Sequence, residues 1–255
     1  MTDGILLTRD GAIATLTIDR PQARNALDPK AAAALGRAIA AVEADDTIAA
    51  VLLTGAGGRF CAGADLKQLA SEGATYQAWA GNDGPLSRPC TKPVIAAVEG
   101  HAVAGGLGVA LWADLRVASE TAVFGVFCRR FGVPMSDGTP TRLPHVIGRS
   151  RALDMLLTGR EVRIDEALAI GLADRHASAG EALTVARALA EEIVRHPPLA
   201  MRADRASAWA AFDGSEAEAL KAEAVRAETA KHAEAQAGAS RFSAGAGRSG
   251  RFHED

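Results

Sequence analysis

Phe60-Cys61-Ala62-Gly63-Ala64-Asp65-Leu66 follows the apolar run Ala49-Ala50-Val51-Leu52-Leu53-Thr54, and Gly100-His101-Ala102-Val103-Ala104-Gly105-Gly106-Leu107-Gly108 follows Pro93-Val94-Ile95-Ala96-Ala97-Val98. Each pair reads as strand, turn and helix start. A helix start leaves backbone N–H groups that the helix cannot use. Two such groups aimed at one oxygen make an oxyanion hole. Glycine at Gly105 would let a carbonyl approach the backbone where a side chain would block it, and the positive end of a helix dipole suits a developing enolate.

The rest of the chain fits an α/β core followed by helices. Residues 13–19 carry a strand signal that ends at Arg20-Pro21. Asp28 before Pro29 is an N-cap with proline at the first helical position, and an alanine-rich helix should run to Glu43. Residues 49–54 and 93–98 are apolar without alternation, as in strands buried on both faces. Residues 66–90 are expected to be helical around an irregular Gly81-Asn82-Asp83-Gly84. Residues 105–113 predict a helix and 115–118 a third strand, an alternation that implies covered sheets and right-handed crossovers. Residues 150–157, 165–170, 182–195 and 215–236 read as helices, with no strand signal of similar strength after Ala118. The expected division is a core over 1–195 and a helical region with its tail over 196–255. Charges from Glu216 to Lys231 at helical spacing suggest a solvated face or a subunit contact.

Length and composition narrow the possible functions. The chain has 255 residues, is 48% hydrophobic, and has a net charge of −3. That charge argues against nucleic acid as a partner. No apolar stretch is long enough to span a bilayer, and the N-terminus has no basic-then-apolar signal. Cys61, Cys90 and Cys128 form no CxxC pair, which points to a reduced, cytoplasmic protein without disulfides. No HExxH, GxxxxGK[ST] or GxSxG occurs, and His145, His176, His196 and His232 stand alone, so no metal site is expected. Gly245-Ala246-Gly247-Arg248-Ser249-Gly250 matches GxGxxG, but the chain ends too soon for the helix a dinucleotide site requires.

The two loops resemble those of the crotonase (enoyl-CoA hydratase/isomerase) superfamily, and the resemblance runs from about residue 5 to about residue 250. It implies a spiral of ββα units with a C-terminal helical trimerisation region, in homotrimers or dimers of trimers. It implies an acyl-CoA thioester as substrate, with coenzyme A part of that substrate and no separate cofactor. The hole donors carry over as the N–H groups of Ala62 and Gly105, at a spacing that fits without gaps. Arg24, Ala62, Gly63, Ala64, Asp65, Gly105 and Gly108 fall at substrate-binding positions. Arg24 and Lys67 could meet a CoA phosphate or be ordinary surface charges. Asp65 could instead cap the helix that starts at Leu66, and Asp114 reads as a structural carboxylate held by backbone donors.

Hydratases of this family use two glutamates, and those positions hold Gly108 and Cys128 here. Gly108 has no side chain. Cys128, followed by Arg129 and Arg130, is either a partly ionised thiol or a packed cysteine. The nearest carboxylate in the right loop is Asp137, in Met135-Ser136-Asp137-Gly138-Thr139. Dienoyl-CoA isomerases and aryl-CoA dehalogenases of the superfamily place a working aspartate about one position earlier, on Ser136. Asp137 is therefore a proton carrier or a turn residue. Phe127, Phe131, Val133 and Met135 around it would desolvate the carboxyl and raise its pKa. The resulting expectation is an enzyme of the enoyl-CoA hydratase/isomerase type with weak classical hydration. The alternatives are an isomerase or hydrolase using Asp137, or a non-catalytic acyl-CoA-binding protein.

Overall fold

The two apolar runs form the middle of a six-stranded sheet. A computed structural model describes residues 3–72, 79–81 and 84–247. Strands β1 (Ile5–Asp10) and β2 (Ile13–Ile18) make an antiparallel hairpin, with Ile5 opposite Ile18. Next come α1 (Pro29–Ala44), β3 (Ala50–Gly55), α2 (Leu66–Glu72) and β4 (Val94–Val98). Short β5 (His101–Val103) leads into α3 (Gly105–Trp112), followed by β6 (Leu115–Ser119) and β7 (Val123–Gly125). Then follow α4 (Thr139–Ile147), α5 (Arg149–Thr158), β8 (Glu161–Arg163), α6 (Ile164–Ala169), β9 (Arg175–Ala177) and α7 (Ala182–Val194). The large sheet has the order β1-β2-β3-β4-β6-β9 and is parallel from β2 onward. A second sheet, β5-β7-β8, carries the end of the Gly100 loop.

The physical causes are local. Asp28 Oδ1 accepts from Ala31 N at 2.7 Å, and Pro29 opens α1. All five residues of β4 are buried, as are all eight of α3. A helix apolar on every side belongs inside the core, and α3 is surrounded by protein. Asp114 Oδ2 accepts from Val94 N at 2.7 Å, tying the end of α3 to the start of β4.

The chain falls into two compact units, Met1–Ile193 and Val194–Asp255. The second contains α8 (Pro198–Ala210), α9 (Glu216–Ala230), a π-helical turn (Lys231–Ala235) and α10 (Gln236–Ser243). Ser215 and Glu218 form a reciprocal capping box at α9. Glu234 accepts from Leu199 N and Ala200 N at 3.0 and 2.9 Å, placing a carboxylate at the positive end of α8.

Several sequence expectations need correction. Strands do occur after Ala118: β7, β8 and β9 have three residues each, too few to show a period. Of the helix expected over 66–90, Leu66–Glu72 is helical and residues 79–81 and 84–90 are turns, bends and coil, while residues 73–78, 82 and 83 lie outside the described residues. Helix α4 is not among the expected helices; Pro140 stands in its first turn and Pro144 lies inside it. The helix expected over 215–236 runs as α9 to Ala230 and continues through the π-helical turn into α10. Of the GxGxxG match, residues 245–247 lie at and beyond the end of α10, and 248–250 lie outside the described residues. No helix among the described residues is long and apolar enough to cross a membrane.

Candidate active site

Two single-residue bridges hold the first loop. Cys61 N donates to His101 O at 2.8 Å and Val103 N donates to Cys61 O at 3.1 Å, joining the loop to β5. Leu27 N donates to Gly63 O at 2.8 Å and Asp65 N to Leu27 O at 3.0 Å. In this parallel bridge Leu27 makes both bonds, so the N–H of Ala64 points away from Leu27. Ala62 N donates to Arg24 O at 3.2 Å, and Gly63 N to Cys61 Sγ at 3.4 Å. Across residues 61–65, only the Ala64 N–H lacks an acceptor among the described residues. The expectation that Ala62 offers the free donor is corrected here: its N–H is already engaged, and the free one is two residues on.

The second loop reaches the same place. Ala104 has φ 50° and ψ −129°, a strained setting for a residue with a Cβ, and its N–H donates to Gly125 O at 2.8 Å. Gly105 N–H, at the start of α3, has no acceptor among the described residues. A Cβ built on Gly63 would lie 2.8 Å from Gly105 N, so the loops meet there. Packing alone requires these glycines. A Cβ on Gly105 would stand 2.5 Å from the Trp79 ring, and one on Gly106 would overlap the Cys61 carbonyl.

Ala62, Ala64, Gly105, Cys128 and Asp137 line one cavity of about 170 Å³. Its walls are largely apolar: Leu66, Val103, Phe127, Phe131, Val133 and Met135 all face it. Asp137 is the carboxylate among its described lining residues. The side chain is 2% exposed, and Oδ1 accepts from Thr139 N at 2.9 Å. Burial pushes its pKa up from 3.8 to about 6, against the opposing pull of Thr139 and Arg142.

Gly108 does not line the cavity, yet it explains how Asp137 fits. A Cβ there would stand 2.5 Å from Asp137 Cγ and 2.7 Å from Oδ1. The carboxyl of Asp137 therefore fills the space that a side chain at position 108 would begin to occupy. The sequence reading took Gly108 as a lost acid and a substrate-binding position; it and Asp137 are 29 apart, and nothing local links them.

The remaining candidates separate. Cys128 is buried, with Sγ 3.0 Å from Met135 Sδ. Burial, and then Asp137, push its thiol up. The neighbouring arginines turn elsewhere: Arg129 Nε donates to Leu156 O and Arg130 lies over the Phe127 ring at 4.4 Å. Cys128 is thus a packed neutral thiol, not an ionised one. Asp65 does not line the cavity. It accepts from Gln68 N at 3.4 Å and sits 3.4 Å from Arg20 Nη2, so it acts as a cap and ion partner of α2. Arg24 is exposed, and its part in the site is its carbonyl, which holds Ala62. Lys67 is exposed on α2. Sequence reasoning missed Arg20, which also pairs with Asp28 at 2.6 Å, and Asn25, whose Nδ2 donates to Ala56 O and Arg59 O.

Comparison with known proteins places this geometry. The sequence profile of the enoyl-CoA hydratase/isomerase family matches residues 8–245. The chain belongs to that family. Its relatives include enoyl-CoA hydratase EchA19 of Mycobacterium tuberculosis, 39% identical over 78% of this chain and 77% of the relative. Carnitinyl-CoA dehydratase of Salmonella arizonae is 38% identical over 80% of this chain and 79% of its own. Among solved structures, an enoyl-CoA hydratase from M. tuberculosis superposes with a TM-score of 0.89 at 34% identity, covering 94% of this chain and 96% of that one. As a family member, the chain is an acyl-CoA enzyme of the hydratase/isomerase type with the crotonase fold.

Proposed function

We propose that the enzyme moves a proton within an enoyl-CoA thioester, shifting its double bond, with Asp137 as the single base and acid. The observation that carries this reading is the Asp137 carboxyl seated over Gly108, in the cavity that Ala64 and Gly105 also line. The thioester oxygen accepts from the Ala64 and Gly105 N–H groups, which acidifies the α-carbon. Ionised Asp137 takes a proton from the α-carbon of a 3-enoyl-CoA. The electron pair delocalises as a dienolate held by the two N–H groups. Asp137 then returns the proton to the γ-carbon and leaves a 2-enoyl-CoA. Atoms and charge balance with no other reactant. The apolar walls keep water from the intermediate.

Hydration is the second reading, favoured by the names of the hydratase and dehydratase relatives. It would need Asp137 both to activate water and to deliver the α-proton. A panel of 3-enoyl- and 2-enoyl-CoA thioesters in oxygen-18 water separates the two. Isomer formation without label incorporation is the expected outcome, and label in a 3-hydroxyacyl product would establish hydration instead. Asp137→Asn should abolish turnover while acyl-CoA affinity stays within a few-fold. Affinity without any product in the unsubstituted protein would make it a binder rather than an enzyme.

A further inference from the structure

Asp137 is held by a connected set of contacts outside the cavity wall. Arg142, one turn into α4, sends Nη1 to Asp137 O at 3.4 Å and Nη2 to Leu86 O at 2.6 Å. Leu86 N donates to Trp79 O at 2.8 Å, and Ala80 N donates to Ser136 O at 3.0 Å. The Trp79 ring covers Gly105. Contacts thus run from the oxyanion loop through Trp79, Ala80 and Leu86 to both ends of the Ser136–Asp137 pair. Gly138, at φ +90°, leaves the room that the Arg142 fork occupies, and a Cβ there would overlap Nη1.

We propose that Arg142 is a positioning residue for Asp137, tying its peptide to the Leu86 carbonyl and presenting the cation that faces its carboxyl. Arg142 from α4 acts on that carboxyl as an opposite charge, and the carboxyl in turn acts on the thiols of Cys61 in the first loop and Cys128 in the turn after β7. Both thiols are pushed up by burial, Cys61 to about 12, and are neutral at working pH. Against the burial that raises the Asp137 pKa, Thr139 donates a hydrogen bond to the carboxyl and Arg142 adds the opposite charge. This role bears on catalysis only if Asp137 carries the proton as proposed above.

The test reads Asp137 directly and needs no turnover. The chain is labelled with carbon-13 at aspartate Cγ, and the Asp137 resonance is assigned by its absence in Asp137→Asn. The resonance is then titrated in Arg142→Gln and Arg142→Lys. Arg142→Gln should raise the midpoint above about 6. Arg142→Lys, which keeps the charge and loses the fork, should recover most of that shift. Gly138→Ala keeps the guanidinium but crowds its Nη1, and should raise the midpoint by a smaller step; it carries the test if Arg142→Gln does not fold. An unchanged midpoint in Arg142→Gln, or in Gly138→Ala where that variant stands in, overturns the assignment. Turnover surviving in Asp137→Asn would remove the proposed function while leaving the titration result in force. A lost turnover with an unmoved midpoint would remove only the role of Arg142.

Discussion

Asp137→Asn should make the protein more stable at neutral pH while removing the proposed proton carrier. Folding lifts the Asp137 pKa from 3.8 to about 6. Between those values the folded state binds a proton that the unfolded state has released. Unfolding free energy therefore falls as pH rises through this window. The contribution is fully present below about pH 4 and lost above about pH 6. Each pKa unit corresponds to about 1.36 kcal/mol, so burying the ionised carboxyl costs about 3 kcal/mol at pH 8. Asparagine keeps the shape and the acceptor for Thr139 N without the charge. At pH 8 the variant should gain up to about 3 kcal/mol, or roughly 6–12 °C in Tm for a chain of this size. Below pH 4 the two curves should meet. Urea unfolding of both proteins at pH 4, 5, 6, 7 and 8 measures the difference directly. A difference independent of pH, or a variant less stable at pH 8, would refute the assignment of a buried, high-pKa carboxyl.

Gly108→Ala places a Cβ 2.5 Å from Asp137 Cγ and should displace the carboxyl. Turnover should fall about 10²–10⁴-fold, the usual worth of an acid–base group, at an overpacking cost of about 1–3 kcal/mol; unchanged kcat would show that the two sites do not share this space. Cys128→Ser should leave turnover nearly unchanged, because the thiol is neutral and packed on Met135, and steady-state kinetics showing its loss would move the chemistry to sulfur. Activity should decline as pH drops through about 6, where Asp137 takes up a proton, and a kcat/KM profile flat from pH 5 to 8 would count against it as base. The family resemblance favours a trimer or a dimer of trimers, and the second unit exposes Phe212, Leu220, Val225 and Phe242; light scattering should give three or six times the 26.3 kDa chain, and a monomer mass would reject it.

Elements whose cause lies within a few residues were legible in the sequence. The doubly buried strands announced themselves as apolar runs, and α1 through Asp28 and Pro29. Strands β7, β8 and β9 did not, because three residues carry no periodicity and their pairing is set by distant partners. At the site, the loop containing the free donors was readable but the donor itself was not. Whether Ala62 or Ala64 is free depends on Arg24 and Leu27, which lie far back in the chain. Asp137 was found because it is the carboxylate in its loop. The vacancy at Gly108 that admits it, and the Trp79 ring that demands glycine at 105, are relations between remote segments.

Seating the carboxyl on the segment before α4, rather than on α3, has a thermal consequence. Helix α3 is enclosed by the core, whereas the Asp137 carboxyl is fastened by a hydrogen bond from Thr139 N and its carbonyl by one from Arg142. Segments held by few contacts open at lower free energy than core helices. On warming, the oxyanion helix keeps its place while the carboxyl drifts from it. Heat inactivation should therefore begin several degrees below the melting of the fold and reverse on cooling. The thermal limit of the catalyst is then set by one loop rather than by the stability of the whole chain.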